Sequence, residues 1–219
     1  MQIIPAILPH NFEEITEKLS RIEGLITNVQ IDICDGVFGL EKTWIPNGIE
    51  VMPAGFSYEF DIMVGDWKTC TLRCLNLGAK SIVSHVDFFA DGDMEKLIEM
   101  VSARSASLGI AVSNDKNLDF HIEKIIQAKN LYNHVFIQVM GIKTIGEQGQ
   151  TFDEESPLRV KALKQQFGDT VVQVDGGMTL DTAKIVKDAG AERVVVGSYI
   201  FGRDDAGSSL EELNRALGE

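Results

Sequence analysis

Four aspartates sit inside or just beyond apolar runs: Asp32 and Asp35 in "QIDICDG" (30–36), Asp61 in "YEFDIMV" (58–64) and Asp175 in "VQVDGGM" (172–178). A carboxylate costs free energy to bury in an apolar strand unless something pairs with it. Acids gathered at one place would serve a shared cation or proton transfer. Gln30, Asp32 and Cys34 alternate along the chain and so share one face of a strand, while Asp35-Gly36 reads as the turn that ends it. Glycines mark a second kind of chemistry. "VDGGM" and "VVVGSYIFG" put Gly176, Gly177 and Gly197, followed by Ser198, just after two apolar runs. Without Cβ atoms the backbone approaches an anion closely and several N–H groups converge on it, so these turns read as a phosphate grip ahead of plain tight turns. His85 in "SIVSHVDFF" reads as a satisfied core histidine ahead of a ligand or proton shuttle. Met63 and Met140 read as core filling.

These residues need elements to position them. Eight apolar runs of strand length recur: 2–8, 28–34, 58–64, 81–89, 108–113, 134–140, 170–176 and 193–201. Their near-continuous Val and Ile content marks strands covered on both faces, as in parallel sheets. Between them the period becomes helical, as in Phe12, Ile15, Leu19 and Ile22 with Asn11 as N-cap, and in "TLDTAKIVKDAGA" with Gly190 as helix stop. The stretch between the second and third runs carries two prolines and four glycines, which predicts a second helix that is short or absent. The pattern predicts a closed (β/α)8 barrel spanning residues 1–219 as one domain, somewhat under the usual ~250 residues. An open doubly wound sheet is the alternative. Against it, "AILPHNF" follows the first strand where a G-x-G-x-x-G would stand. In the barrel, the acids and glycines fall at the C-terminal strand ends, where such folds place their active sites.

Composition narrows the partners. The 219 residues are 44% hydrophobic and 24% charged with a formal net charge of -13, which disfavours nucleic acid and anionic membranes. No run reaches the roughly 18 apolar residues of a membrane span, and the N-terminus lacks a basic leader, so the expectation is a cytoplasmic protein. Three cysteines, Cys34, Cys70 and Cys74, suit reduced thiols, the last two being a small apolar contact on one helix face.

Several motifs in order then resemble the ribulose-phosphate 3-epimerase family over nearly the whole chain. "IIPAIL" with "NFEEI" is similar to that family's P-S-I-L-x-x-D-F, and "IDICDGVF" to V-D-V-M-D-G-x-F, followed by "WIPN". "FDIMV" is similar to V-H-L-M-V, "SHVD" to V-H-V-E, and the two glycine turns to V-D-G-G-[VI] and V-A-G-S-A-I-F. The resemblance implies an isomerase of carbohydrate metabolism that interconverts D-ribulose 5-phosphate and D-xylulose 5-phosphate, a pentose phosphate pathway step. One aspartate takes the C3 proton, a planar enediolate forms, and a second aspartate returns a proton to the other face. Those acids correspond to Asp32 and Asp175, and Met63 and Met140 to methionines that cap the substrate. The family's metal is held by the two aspartates and two histidines, whose positions here are Gln30 and Asp61. Gln30, Asp32, Asp61 and Asp175 would be an all-oxygen set suited to magnesium, manganese or calcium rather than to the zinc or iron that imidazoles favour, or a site that stays empty. The loop "KTIGEQGQTF" (143–152) keeps Gly146, Gly149, Gln150 and Phe152 of the family's substrate-covering loop but loses its Pro-Gly, and Ala6 replaces a serine. Homo-oligomers are expected from the resemblance. Two other readings stay open: a lyase or decarboxylase of the same barrel superfamily, weakened because its lysine-carboxylate array would need a lysine in "NVQIDICDG" or "YEFDIMVGD" and neither holds one, the first nearby being Lys68 on the next helix, and a sugar-phosphate binding protein without catalysis.

Overall fold

A computed structural model of the chain describes residues 1–37, 41–114, 116–143 and 150–218. Strands and helices alternate in the order β1 (Gln2–Ile7), α1 (Phe12–Ser20), β2 (Asn28–Cys34), β3 (Ser57–Met63), α2 (Trp67–Asn76), β4 (Ser81–His85), α3 (Asp93–Ser102), β5 (Ser107–Val112) and α4 (Leu118–Leu131). They continue with β6 (Val135–Met140), α5 (Ser156–Gln166), β7 (Val172–Asp175), α6 (Leu180–Asp188), β8 (Arg193–Val196), α7 (Ser198–Phe201) and α8 (Ala206–Leu217). All eight strands pair in parallel with their sequence neighbours, and β8 closes on β1 through Gln2–Arg193 to Pro5–Val196. The closed barrel is therefore the one the alternating pattern predicts. Asn11 caps α1 by accepting from the Glu14 N–H, and Gly190 follows α6 at φ +108°.

Two apolar runs overshoot their strands. The run 81–89 leaves the sheet at His85 and tightens into a 3-10 turn over Val86–Phe88, and the run 193–201 leaves at Val196 to form α7. Among the described residues no helix joins β2 to β3. Instead the chain returns alongside the ends of β1 and β2, with the Thr43 N–H donating to the Cys34 carbonyl at 2.9 Å and the Trp44 N–H to the Pro9 carbonyl at 2.7 Å. Asp35 ends β2 in the role of a turn residue: its two oxygens accept from the N–H groups of Val37 and Gly65. Cys70 and Cys74 are buried free thiols on α2, where burial pushes the Cys74 thiol up. Among the described residues no helix is long and apolar enough to cross a membrane.

The main core lies between strands and helices, where Ile15, Leu19, Phe60, Leu97, Leu108 and Leu213 are buried. Among the described residues, three small apolar groups pack inside the barrel: Ile4, Ala6 and Val195; Leu8, Cys34 and Met63; and Val83, Ala111 and Phe136. The last group fixes one glycine. A Cβ on Gly109 would stand 2.5 Å from the Phe136 ring and 3.0 Å from Val83, so the aromatic ring occupies the space a side chain would need. Gly109→Ala should destabilise the barrel by about 1–3 kcal/mol, and Phe136→Leu in the same chain should recover part of that loss. Urea unfolding of the single and double variants checks both.

Candidate functional site

The space left between those apolar groups is filled by polar side chains that reach across the barrel. Several of their hydrogen bonds join strands that are not neighbours in the sheet, which is possible only if the residues point into the lumen. At the lower end, Arg193 on β8 donates to Glu59 Oε2 at 3.0 Å and to the Gln173 side-chain oxygen. Gln173 on β7 donates through Nε2 to Glu59 Oε1 at 2.8 Å, to the Gln138 side-chain oxygen, and toward Gln30 Oε1 at 3.4 Å. One level up, Gln30 Nε2 lies 2.8 Å from both Asp32 Oδ1 and Asp175 Oδ2. Gln138 Nε2 donates to Asp61 Oδ2 at 2.7 Å and lies 3.4 Å from Asp175 Oδ2. The remaining Asp61 oxygen faces His85 Nε2 at 2.9 Å. Gln30, Asp61, Gln138 and Gln173 have no exposed surface, so each amide and carboxyl group depends on these bonds for its satisfaction.

Above this network a cleft opens at the C-terminal strand ends. Asp32, Asp61 and Asp175 form its polar floor, Met63 and Met140 its apolar wall, and Gly176, Gly177, Gly197 and Ser198 its far side, with Gln150 at the rim. The geometry thus brings most of the residues singled out in the sequence to one place. Gly146 and Gly149 lie outside the described residues. The two turn glycines meet strict demands: Gly176 and Gly177 have φ of +102° and +68°, and a Cβ at Gly177 would come within 2.9 Å of the Phe152 backbone. His85 is a buried partner of Asp61 rather than a cleft residue, as a core histidine would be, but it is only half satisfied: its Nδ1 has no hydrogen-bond partner among the described residues.

Close packing of acids shows in their protonation. Burial and the Asp61 charge push the Asp32 carboxyl up to about 7, against the hydrogen bond from Gln30. Burial and the Asp32 charge hold Asp175 well above the usual carboxylate range. Burial pushes the His85 imidazole down, but the adjoining Asp61 carboxylate reverses this and leaves it raised. One acid poised near neutrality beside another held above the usual carboxylate range is an arrangement that can take up and return protons near neutral pH.

Asp32, Asp61 and Asp175 can each offer an oxygen within 4.8 Å of the others, a spacing that could hold a metal ion. The chemistry around them fits less well. A histidine-rich zinc or iron centre needs imidazole lone pairs, and the positions concerned hold an amide and a carboxylate. The Gln30 amide turns its nitrogen, a donor without a lone pair to give, toward the acids and its oxygen toward Gln173.

Reasoning from the sequence passed over Glu59, Gln138, Gln173 and Arg193. A signal was present: Gln30, Glu59, Gln138 and Gln173 each stand two residues before Asp32, Asp61, Met140 and Asp175, hence on the same inward face of their strands.

The pH dependence of stability follows from Asp32. Its folded pKa of about 7 exceeds the ordinary 3.8, so the native state keeps a proton that the unfolded chain releases. The stability this adds is complete below about pH 4 and is lost as pH rises through 7. Asp32→Asn mimics the protonated form and still accepts from Gln30. It should match the parent at low pH and exceed it by about 1 kcal/mol or more above pH 8, as denaturant unfolding across pH will show.

Comparison with known proteins agrees with the geometry. The family model for the ribulose-phosphate 3 epimerase family matches residues 2–201. The cytoplasmic isoform of ribulose-phosphate 3-epimerase from Oryza sativa subsp. japonica is 23% identical over 99% of this chain and 94% of its own length. Ribulose-phosphate 3-epimerase of Bacillus subtilis is 22% identical over 97% of this chain and 98% of its own. A crystal structure of 3-hexulose-6-phosphate synthase superposes with a TM-score of 0.71 at 16% identity, covering 99% of this chain and all of the other, which is a likeness of fold.

Proposed function

The chain belongs to the ribulose-phosphate 3 epimerase family, and on that premise we propose that it is an isomerase of a phosphorylated ketose, most simply interconverting D-ribulose 5-phosphate and D-xylulose 5-phosphate. The observation that carries the proposal is the pairing of Asp32 and Asp175. The two acids come from strands three apart in the barrel, share one N–H donor in Gln30, and both border the cleft.

In this proposal one acid, ionised, removes the proton from C3 of the ketose, and the electron pair moves into the adjoining carbonyl to give an enediolate. The other acid, protonated, delivers a proton to the opposite face of C3, which inverts the centre. The raised Asp32 and Asp175 carboxyls suit opposite protonation at one pH. Gln30 keeps both side chains turned toward the substrate. The phosphate lies against the backbone N–H groups of the turns at Gly176, Gly177, Gly197 and Ser198, with Gly146 and Gly149 of the strand-six loop as further contacts. Met63 and Met140 exclude water from the sugar face, which protects the enediolate. The proposal carries with it a cytoplasmic location and the homo-oligomeric state expected from the resemblance, the location resting on the sequence reading alone.

The 3-hexulose-6-phosphate synthase likeness is one of fold, and the lumen offers Gln30, Gln138 and three acids where a lyase array would need a lysine. A sugar-phosphate binder without catalysis shares the phosphate contacts but needs no paired acids. The test is solvent exchange in deuterated water. Ribulose 5-phosphate should gain deuterium at C3 and form xylulose 5-phosphate, and Asp32→Asn and Asp175→Asn should each lower the rate at least ~100-fold. Ligand-induced stabilisation with no exchange would mark a binder, and unchanged exchange in either variant would refute the roles given to the acids.

A further inference from the structure

We infer that the site works without a metal ion: the N–H groups of Gln30, Gln138 and His85 take the place a divalent cation would hold among Asp32, Asp61 and Asp175. The inference rests on the reading of these acids as the reacting groups and adds to it the means by which their charges are held together.

The argument turns on amide direction, which the two ends of the network leave no freedom to choose. Arg193 has only donors to give, and it meets the side-chain oxygen of Gln173 and Glu59 Oε2. The nitrogen of Gln173 is thereby turned away from Arg193 and toward Glu59, Gln138 and Gln30. Both of those glutamines must present oxygen to it, so both present nitrogen to the acids. Reversing Gln30 to offer its oxygen to a cation would set its nitrogen against that of Gln173. Reversing Gln173 in turn would set its nitrogen against the Arg193 guanidinium. A cation among the three carboxylates would therefore face the positive ends of two fixed amide dipoles.

The carboxylates are also already supplied. Asp61 is fully buried, with one oxygen on Gln138 and the other on His85, and Asp32 and Asp175 each give an oxygen to Gln30. Hydrogen bonds from donors to carboxylates are among the stronger ones in proteins, and a metal would have to displace or crowd them. His85 belongs to the same arrangement, since a carboxylate at position 61 gives its ring a partner inside the lumen.

The experiment is a titration of dialysed, chelator-treated protein with Mn2+, followed by calorimetry and by the electron paramagnetic resonance of free Mn2+, alongside deuterium exchange at C3 with and without chelator. A chain carrying both Gln30→His and Asp61→His, which restores two imidazoles, serves as the comparison. The unaltered protein should bind Mn2+ more weakly than about 1 mM and exchange at the same rate in chelator. The double variant, where it folds, should bind at least ~100-fold more tightly. Micromolar binding by the unaltered protein, or exchange lost in chelator and restored by Mn2+, would overturn the inference while leaving the epimerase reading intact. Absence of both binding and exchange in every condition would instead refute the reading of the function and leave the metal-free site standing.

Discussion

The contact between Arg193 and Gln173 sets the direction of every polar group above it. Arginine cannot accept a hydrogen bond, so the amide it touches must offer oxygen, and the amide's nitrogen must then point up the lumen. Gln138 and Gln30 inherit that direction, and three aspartates receive it. A buried network of this kind gains stability as its members are satisfied: here the amides and carboxyl groups have partners, while Arg193 Nε and His85 Nδ1 have none among the described residues. The barrel supplies the closure that brings the partners together, because the bonds from β2 to β7, β3 to β6 and β3 to β7 span a lumen that an open sheet would not have.

The same network explains how the interior can be both polar and well packed. Apolar groups such as Val83, Ala111 and Phe136 fill the sides where strands carry no acid, and Gly109 gives way to the Phe136 ring. The Arg193 guanidinium lies over that ring with its carbon 4.3 Å from the centroid, so the residue that orients the amides is itself held by an aromatic face. Acids at the top of this column are crowded and desolvated, which lifts Asp32 and Asp175 above the usual range. Stability is surrendered there, and proton transfer near neutral pH is what such an arrangement offers in return.

Much of this was legible in the sequence, and the reasons differ by element. Strand number and order could be read because each parallel strand is a continuous apolar run, while the ends at His85 and Val196 could not, since the apolar run continues into a turn and a short helix that are also buried. Asp32, Asp61, Asp175 and the glycine turns stood out as polar or permissive residues in apolar surroundings, and all border one cleft. Gln138, Gln173, Glu59 and Arg193 did not. Their role depends on which strands face each other across the lumen, a consequence of closure and stagger that spacing within a single strand does not carry. Gln30 was legible as a departure from the family pattern. Its meaning, a donor aimed at two acids, required its neighbours.

The central claim is the direction of the buried amides, and neutron diffraction from a crystal of the protein measures it directly, because nitrogen, oxygen and deuterium scatter neutrons differently. The account predicts Nε2 of Gln30 and of Gln138, each carrying two deuterons, facing Asp32, Asp61 and Asp175, with the Gln173 oxygen toward Arg193. Side-chain oxygens of Gln30 and Gln138 facing the acids would contradict it.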